Sequence, residues 1–199
     1  MYSMGRPEKH DTNQLLESAM ALFWEKGYGV PVSNLVEATG VLAGSLYGRF
    51  GNKEGLFIAC LHHYAEKVNE SFVIAEKEAQ PLDQVKAWFE YILENSVTPT
   101  ERNGCFVMNT LLEHSSENGQ AAEVARSYVT KAELWIENRL KEAKKTGELN
   151  SNVDCKALSI CLYGLVYSLR GMSRAREPED RIRSYMDYTY AALLDPWRN

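Results

Sequence analysis

Apolar residues recur at helical spacing along the whole 199-residue chain, and no stretch alternates apolar with polar side chains as a half-buried strand would. Over residues 12–26, Leu15, Leu16, Ala19, Leu22 and Phe23 share one face of an amphipathic helix. Asp11 or Thr12 is placed to cap its start and Gly27 to end it. Pro31 stands where a first helical turn tolerates proline, and it opens a short helix over 32–39. Gly40 stops that helix, and another follows at 43–50. Longer helices are expected at 53–79, 82–97, 105–115, 120–145, 154–175 and 178–194, punctuated by Pro81, Pro99, Gly104, Gly147 and Pro178. The basic end of the helix over 120–145 (Lys141, Lys144, Lys145) suits the negative pole of a helix. The fold expected is all-α.

Two short helices joined by so tight a glycine turn form a helix-turn-helix pattern. Leu46 and Phe50 would seat the second helix against Leu22, Leu35 and Val36, leaving Ser45, Tyr47, Gly48 and Arg49 to face outward. Residues 39–51 contain no acidic side chain, although the chain as a whole carries a net charge of -5. Such a face suits a polyanion. Arginine can read guanine bidentately, serine and tyrosine hydroxyls hold phosphates, and Lys53 opens the next helix beside free backbone N–H groups. Arg6, in the stretch "MGRPEKH", either follows a minor groove or belongs to a simple tail. Residues 1–53 sum to zero charge, so affinity for phosphate must come from local placement rather than from an overall basic footprint. The plainer alternative is a helical hairpin with a solvated polar face.

Several classes fall away. Cys60, Cys105, Cys155 and Cys161 show neither CxxC spacing nor a histidine cluster, and they read as free thiols rather than as zinc ligands or a disulfide framework. No GxSxG, HExxH or phosphate-binding glycine loop occurs, so an enzyme is not expected, and neither is a cofactor or metal. His62 and His63 are adjacent and are expected at the surface. No apolar run is long enough to span a membrane, and the first eleven residues are too polar for a signal peptide, which points to the cytoplasm.

The pattern "ALFWEKGYG…VSNLVEATGV…GSLYGRFGNKEGLF" resembles the TetR family of bacterial transcription regulators. The matching positions are Phe23, Gly27, Tyr28, Gly40, Val41, Gly44, Ser45, Leu46, Tyr47, Phe50, Lys53, Glu54 and Leu56. Farther on, "KKTGELNSNVD" resembles a stretch between that family's last long helices. The chain departs from the pattern at Val30-Pro31, where a capping hydroxyl is usual and Ser33 substitutes in part, and at Gly48, where a polar group is usual.

The resemblance implies an N-terminal arm and helix-turn-helix DNA-binding domain over 1–53. It also implies a larger helical domain over 54–199 for ligand binding and dimerisation. The function implied is a one-component regulator, read as a repressor, that holds a near-palindromic operator as a homodimer and is released by a small-molecule or thiol-reactive signal. DNA contacts fall to Arg6, Ser33, Gly44, Ser45, Tyr47, Gly48, Arg49 and Lys53. The two C-terminal helices, apolar round most of their circumference (Leu158, Cys161, Leu162, Leu165, Val166, Leu169; Ile182, Tyr185, Met186, Tyr190), are the expected dimer contact. An effector cavity is expected from Trp88, Tyr91, Tyr128, Trp135, Tyr163 and Tyr167, with Asn109 and Glu113 as polar partners. Cys105, just after Gly104 and near Arg102, is either a thiol sensor or a packing residue. The competing reading is a helical protein-interaction adaptor without sequence-specific DNA binding.

Overall fold

A computed structural model describes residues 9–98, 102–113 and 119–199. Arg6 lies outside the described residues. The described chain forms α1 (Lys9–Lys26), α2 (Val32–Thr39), α3 (Ala43–Phe50), α4 (Lys53–Ala75), α5 (Pro81–Val97), α6 (Phe106–Glu113), α7 (Gln120–Thr146), α8 (Cys155–Arg174) and α9 (Glu179–Leu194). A 3-10 turn, Asp195–Trp197, follows α9. Among the described residues the only β pairing is an isolated bridge between Leu149 and Arg198. The all-α expectation holds, and α2 and α3 begin and end where glycine and proline place them. α1 starts earlier than expected, so Asp11 and Thr12 are inside the helix rather than at its cap.

The chain divides into two compact units, 1–67 with 109–125, and 68–108 with 126–199. In the first, α1, α2, α3 and the start of α4 close over Leu15, Ala19, Met20, Phe23, Leu35, Leu46, Leu56 and Phe57, all buried. Aromatic edges lock this small core. The Phe23 ring meets Phe57 edge-on at 4.9 Å, and Tyr28 meets Phe57 at 5.2 Å. His63, expected at the surface, has a side chain only 12% exposed, with Nε2 2.8 Å from Glu17 Oε1. Lys67 reaches the same carboxylate. Burial works against the charge on Glu17, but hydrogen bonds from Lys67 and His63 hold its carboxyl below the usual range.

The second unit has its own core, in which α5 packs on α8 and α9. Leu82, Val85, Phe89, Ile136, Leu140, Leu162, Leu169, Ile182 and Leu194 lie at its centre. Asp154 caps α8 by accepting the N–H groups of Lys156 and Ala157, each at 3.0 Å. Here the structure amends the sequence reading. Leu158, Leu162, Leu165, Val166 and Leu169 of α8, and Ile182, Met186 and Tyr190 of α9, are buried within the chain's own core. Between exposed Lys156 and Arg174 near its two ends, the side of α8 left open carries Ile160, Cys161, Gly164, Tyr167 and Gly171, with no charge among these five. The outer sides of both helices, not their whole girth, are what remains for a partner: the uncharged middle of α8, and on α9 a side that carries Tyr188, 79% exposed.

Candidate nucleic-acid interface

The helix-turn-helix is set by backbone chemistry. Pro31 stands at the N-cap of α2 with φ -62° and ψ 148°, extended backbone that a proline ring favours, and no side chain caps the helix. At the other end Gly40 takes φ 67°, the left-handed conformation, so that its N–H returns to Val36 O at 2.9 Å. Thr39 Oγ1–H donates to Leu35 O and accepts from Val41 N–H, carrying the chain through the turn. Leu42 then caps α3 in extended conformation, again without a side-chain hydrogen bond. The missing hydroxyl noted before α2 has no replacement, for Ser33 Oγ–H donates to Asn34 Oδ1 at 3.3 Å instead.

Leu46 is fully buried and anchors α3, with Phe50 half-buried below it. Gly44, Ser45, Gly48 and Arg49 are exposed and Tyr47 is half-exposed, so these expected outward residues share an open face. A Cβ added at Gly44 or Gly48 would meet nothing within 4 Å. Neither glycine has a positive φ, so the fold itself does not require glycine at either place. In a helix interior each glycine costs roughly 0.5–1 kcal/mol relative to alanine. Bare backbone here leaves room for something to come close.

The two cations behave differently. Arg49 Nη1–H donates to Thr12 Oγ1 at 3.2 Å, so this guanidinium is tied back to α1 and one of its donors is in use. Lys53 Nζ sits 4.8 Å from the centroid of the Tyr28 ring, a cation–π contact, and burial lowers its pKa from the ordinary lysine value. Both remain on the acid-free side of the turn.

Two supporting residues escaped the sequence reading. Asn52 Oδ1 accepts the Gly55 N–H at 2.8 Å and so caps α4 beside Lys53. A Cβ at Gly55 would lie 2.0 Å from Phe50 O, so only glycine lets α4 start this close to the end of α3. Asn one residue before a lysine-led helix was the visible signal for the cap. Nothing local announced the contact at Gly55.

Glu113, grouped in the sequence reading with an effector cavity, is engaged elsewhere. Its Oε2 accepts the Tyr28 N–H at 3.0 Å, and its two carboxylate oxygens lie 2.9 Å from where a Gly27 Cβ would be. Gly27 has φ 80°, so both its backbone and the carboxylate beside it exclude a larger residue. Glu113 thus satisfies the turn between α1 and α2. Asn109, one turn earlier on α6, is half-buried in the same unit.

The remaining cavity residues fall in the second unit. Trp88 and Trp135 come together around Phe72, with ring centroids 5.1 and 4.8 Å from it. Their indole N–H groups are already used, by Ser71 Oγ at 3.0 Å and by Glu76 Oε1 at 2.7 Å. Tyr163 and Tyr167 meet edge-on at 5.4 Å. Burial, then the charges of Cys105 and Glu133, raise the Tyr167 pKa. Cys105 itself is buried, Tyr128 is half-buried and Tyr91 is exposed. Among the four cysteines only Cys161 is exposed, and burial pushes the thiols of Cys60 and Cys155 up. Among the described residues no helix is long and apolar enough to cross a membrane, and no three metal-ligating side chains converge.

Comparison with known proteins decides the family. Residues 15–60 match the bacterial regulatory proteins of the tetR family, and residues 81–189 match the tetracyclin repressor-like C-terminal domain. The chain belongs to the tetR family. It is 33% identical over 184 residues to the HTH-type transcriptional repressor ComR of Escherichia coli (strain K12), covering 88% of this chain and 84% of that protein. It is 27% identical over 196 residues to the HTH-type transcriptional regulator YezE of Bacillus subtilis (strain 168), covering 96% and 100%. The fold is also that of a cysteine mutant of the TetR family transcriptional regulator CifR complexed with 26bp double-strand operator DNA. The TM-score is 0.83 at 23% identity over 94% of this chain and 98% of that one. As a TetR-family helix-turn-helix protein, the chain is a DNA-binding transcription regulator.

Proposed function

We propose that this TetR-family regulator is a repressor that binds a near-palindromic operator as a homodimer and lets go when a small molecule or a thiol-reactive compound engages its C-terminal part. The observation that carries the DNA side is the open, acid-free face of α3, with bare backbone at Gly44 and Gly48 between Ser45 and Arg49. Tyr47, Ser33 and Lys53 add hydroxyl and ammonium contacts to phosphate, and Arg6 reaches an adjacent minor groove. In this reading residues 1–53 form the DNA-binding domain, 54–199 bind effector and the second copy, and the protein works in the cytoplasm without a catalytic activity. The outer stripe of α8 supports the homodimer, since an uncharged row with two open glycines fits a close helix crossing.

The effector end rests on the aromatic groups of the second unit and on Cys105, buried in the same unit. Trp88, Tyr91, Tyr128, Trp135 and Tyr163 supply apolar surface. Fluorescence anisotropy on the DNA upstream of the protein's own gene, against scrambled DNA, tests the regulator. Specific binding is expected, and binding no tighter than to scrambled DNA favours the adaptor reading. Repeating the titration with a mild electrophile tests the switch. Release in the native protein and none in Cys105→Ser is expected, whereas release in both removes Cys105 from the mechanism.

A further inference from the structure

Recognition helices present their N-terminal residues to base edges. At that end of α3 stand Leu42, Ala43, Gly44 and Ser45, and none of them carries an amide, a guanidinium or a carboxylate. The first charged side chain, Arg49, comes at the far end of the helix and is hydrogen-bonded to Thr12. Leu42 is 74% exposed, although leucines elsewhere in the helix-turn-helix, Leu35 and Leu46, are fully buried. It is the N-cap of α3, a place where serine, threonine, asparagine or aspartate would each stabilise the helix by about 1 kcal/mol more than an apolar residue. Leu42 therefore contributes neither to the core nor to the cap. By helical spacing it shares a row with Ser45 and Arg49, the outward row of α3.

We infer that Leu42 is a specificity-determining residue that reads thymine through its C5-methyl group in the major groove. Resting on the DNA-binding reading above, this adds what kind of base the protein selects. In the major groove a thymine presents a methyl group that no other base carries, and apolar side chains recognise it. The open backbone at Gly44 lets α3 approach closely enough for a leucine at its first turn to reach that methyl. Operator half-sites then contain a thymine opposite the N-terminus of α3. Hydrogen-bonding readout is confined to Ser45 and Arg49.

The test starts by selecting binding duplexes from a random library with the full-length protein. Each thymine of the selected half-site is then replaced in turn by deoxyuridine, which removes only the methyl group. At one position the substitution is expected to weaken the native protein about fourfold, the equivalent of ~0.8 kcal/mol for one buried methyl-sized group. The same duplex is expected to bind Leu42→Ala no worse than its thymine parent. Leu42→Ser, which restores a capping hydroxyl and so guards against a folding defect, is expected to behave as Leu42→Ala. Equal losses in native and variant proteins, or no loss at any thymine, overturn the role of Leu42 while leaving the regulator intact. If no sequence is enriched at all, the DNA-binding reading fails, and this inference with it.

Discussion

Helices α3 and α8 both turn an uncharged or nearly uncharged row outward, and both leave glycines there with nothing within 4 Å of an added Cβ. They differ in what flanks those glycines. Beside Gly44 and Gly48 stand Ser45, Tyr47 and Arg49, donors suited to phosphate and base edges. Beside Gly164 stand Ile160, Cys161 and Tyr167, which offer apolar area and no charge, and a cation, Arg174, comes only at the end of the helix past Gly171. Open glycine marks only that something approaches. The flanking side chains say whether it is a polyanion or another apolar helix.

The largest break in that comparison is expected from Gly164→Arg. A long cation on the α8 stripe is expected to convert dimer to monomer in sedimentation velocity with helix content unchanged by circular dichroism. Operator affinity then falls by about 10²–10⁴, because two linked half-site contacts become one. A dimeric Gly164→Arg protein would move the interface off α8. On α3, Arg49→Ala is expected to cost about 1–3 kcal/mol of operator binding and to relax base preference, while Lys53→Ala weakens all sequences alike and lowers the salt slope by about one. Competition anisotropy across a salt series separates the two.

Smaller effects sharpen the contrast. Gly48→Ala is expected to raise unfolding stability by roughly 0.5–1 kcal/mol in urea titrations, since its Cβ meets nothing, and yet to weaken operator binding severalfold. A variant both more stable and fully active would mean that DNA does not press on this face. The smallest effect belongs to the clamp that holds α1 on α4. The folded-state pKa of Glu17 lies below its ordinary value of 4.5, so its stabilisation is present above that value and is lost as pH falls through the folded-state pKa. Glu17→Gln is therefore expected to lose ~0.2–1 kcal/mol at neutral pH and to converge with the native protein in acid, as read by chemical denaturation at each pH.

Near-neighbour chemistry is what the sequence determined by itself. Pro31, Gly40 and the 3.6-residue spacing were enough to bound α2 and α3 and to turn Leu35 and Leu46 inward, because each signal acts through the backbone of its own few residues. The acid-free run and its motif were enough to point at DNA. Tertiary structure decided whatever depends on residues far apart in the chain. Glu113 holds the Tyr28 N–H across 85 residues, and His63 meets Glu17 across 46. Gly55 is required by the Phe50 carbonyl that the turn folds onto it. Both sides of α8 are apolar enough to be core, so periodicity alone could not say which side its own chain would take. Packing α5 and α9 against Leu162 and Leu169 settled that, and left Ile160, Cys161 and Gly164 outside.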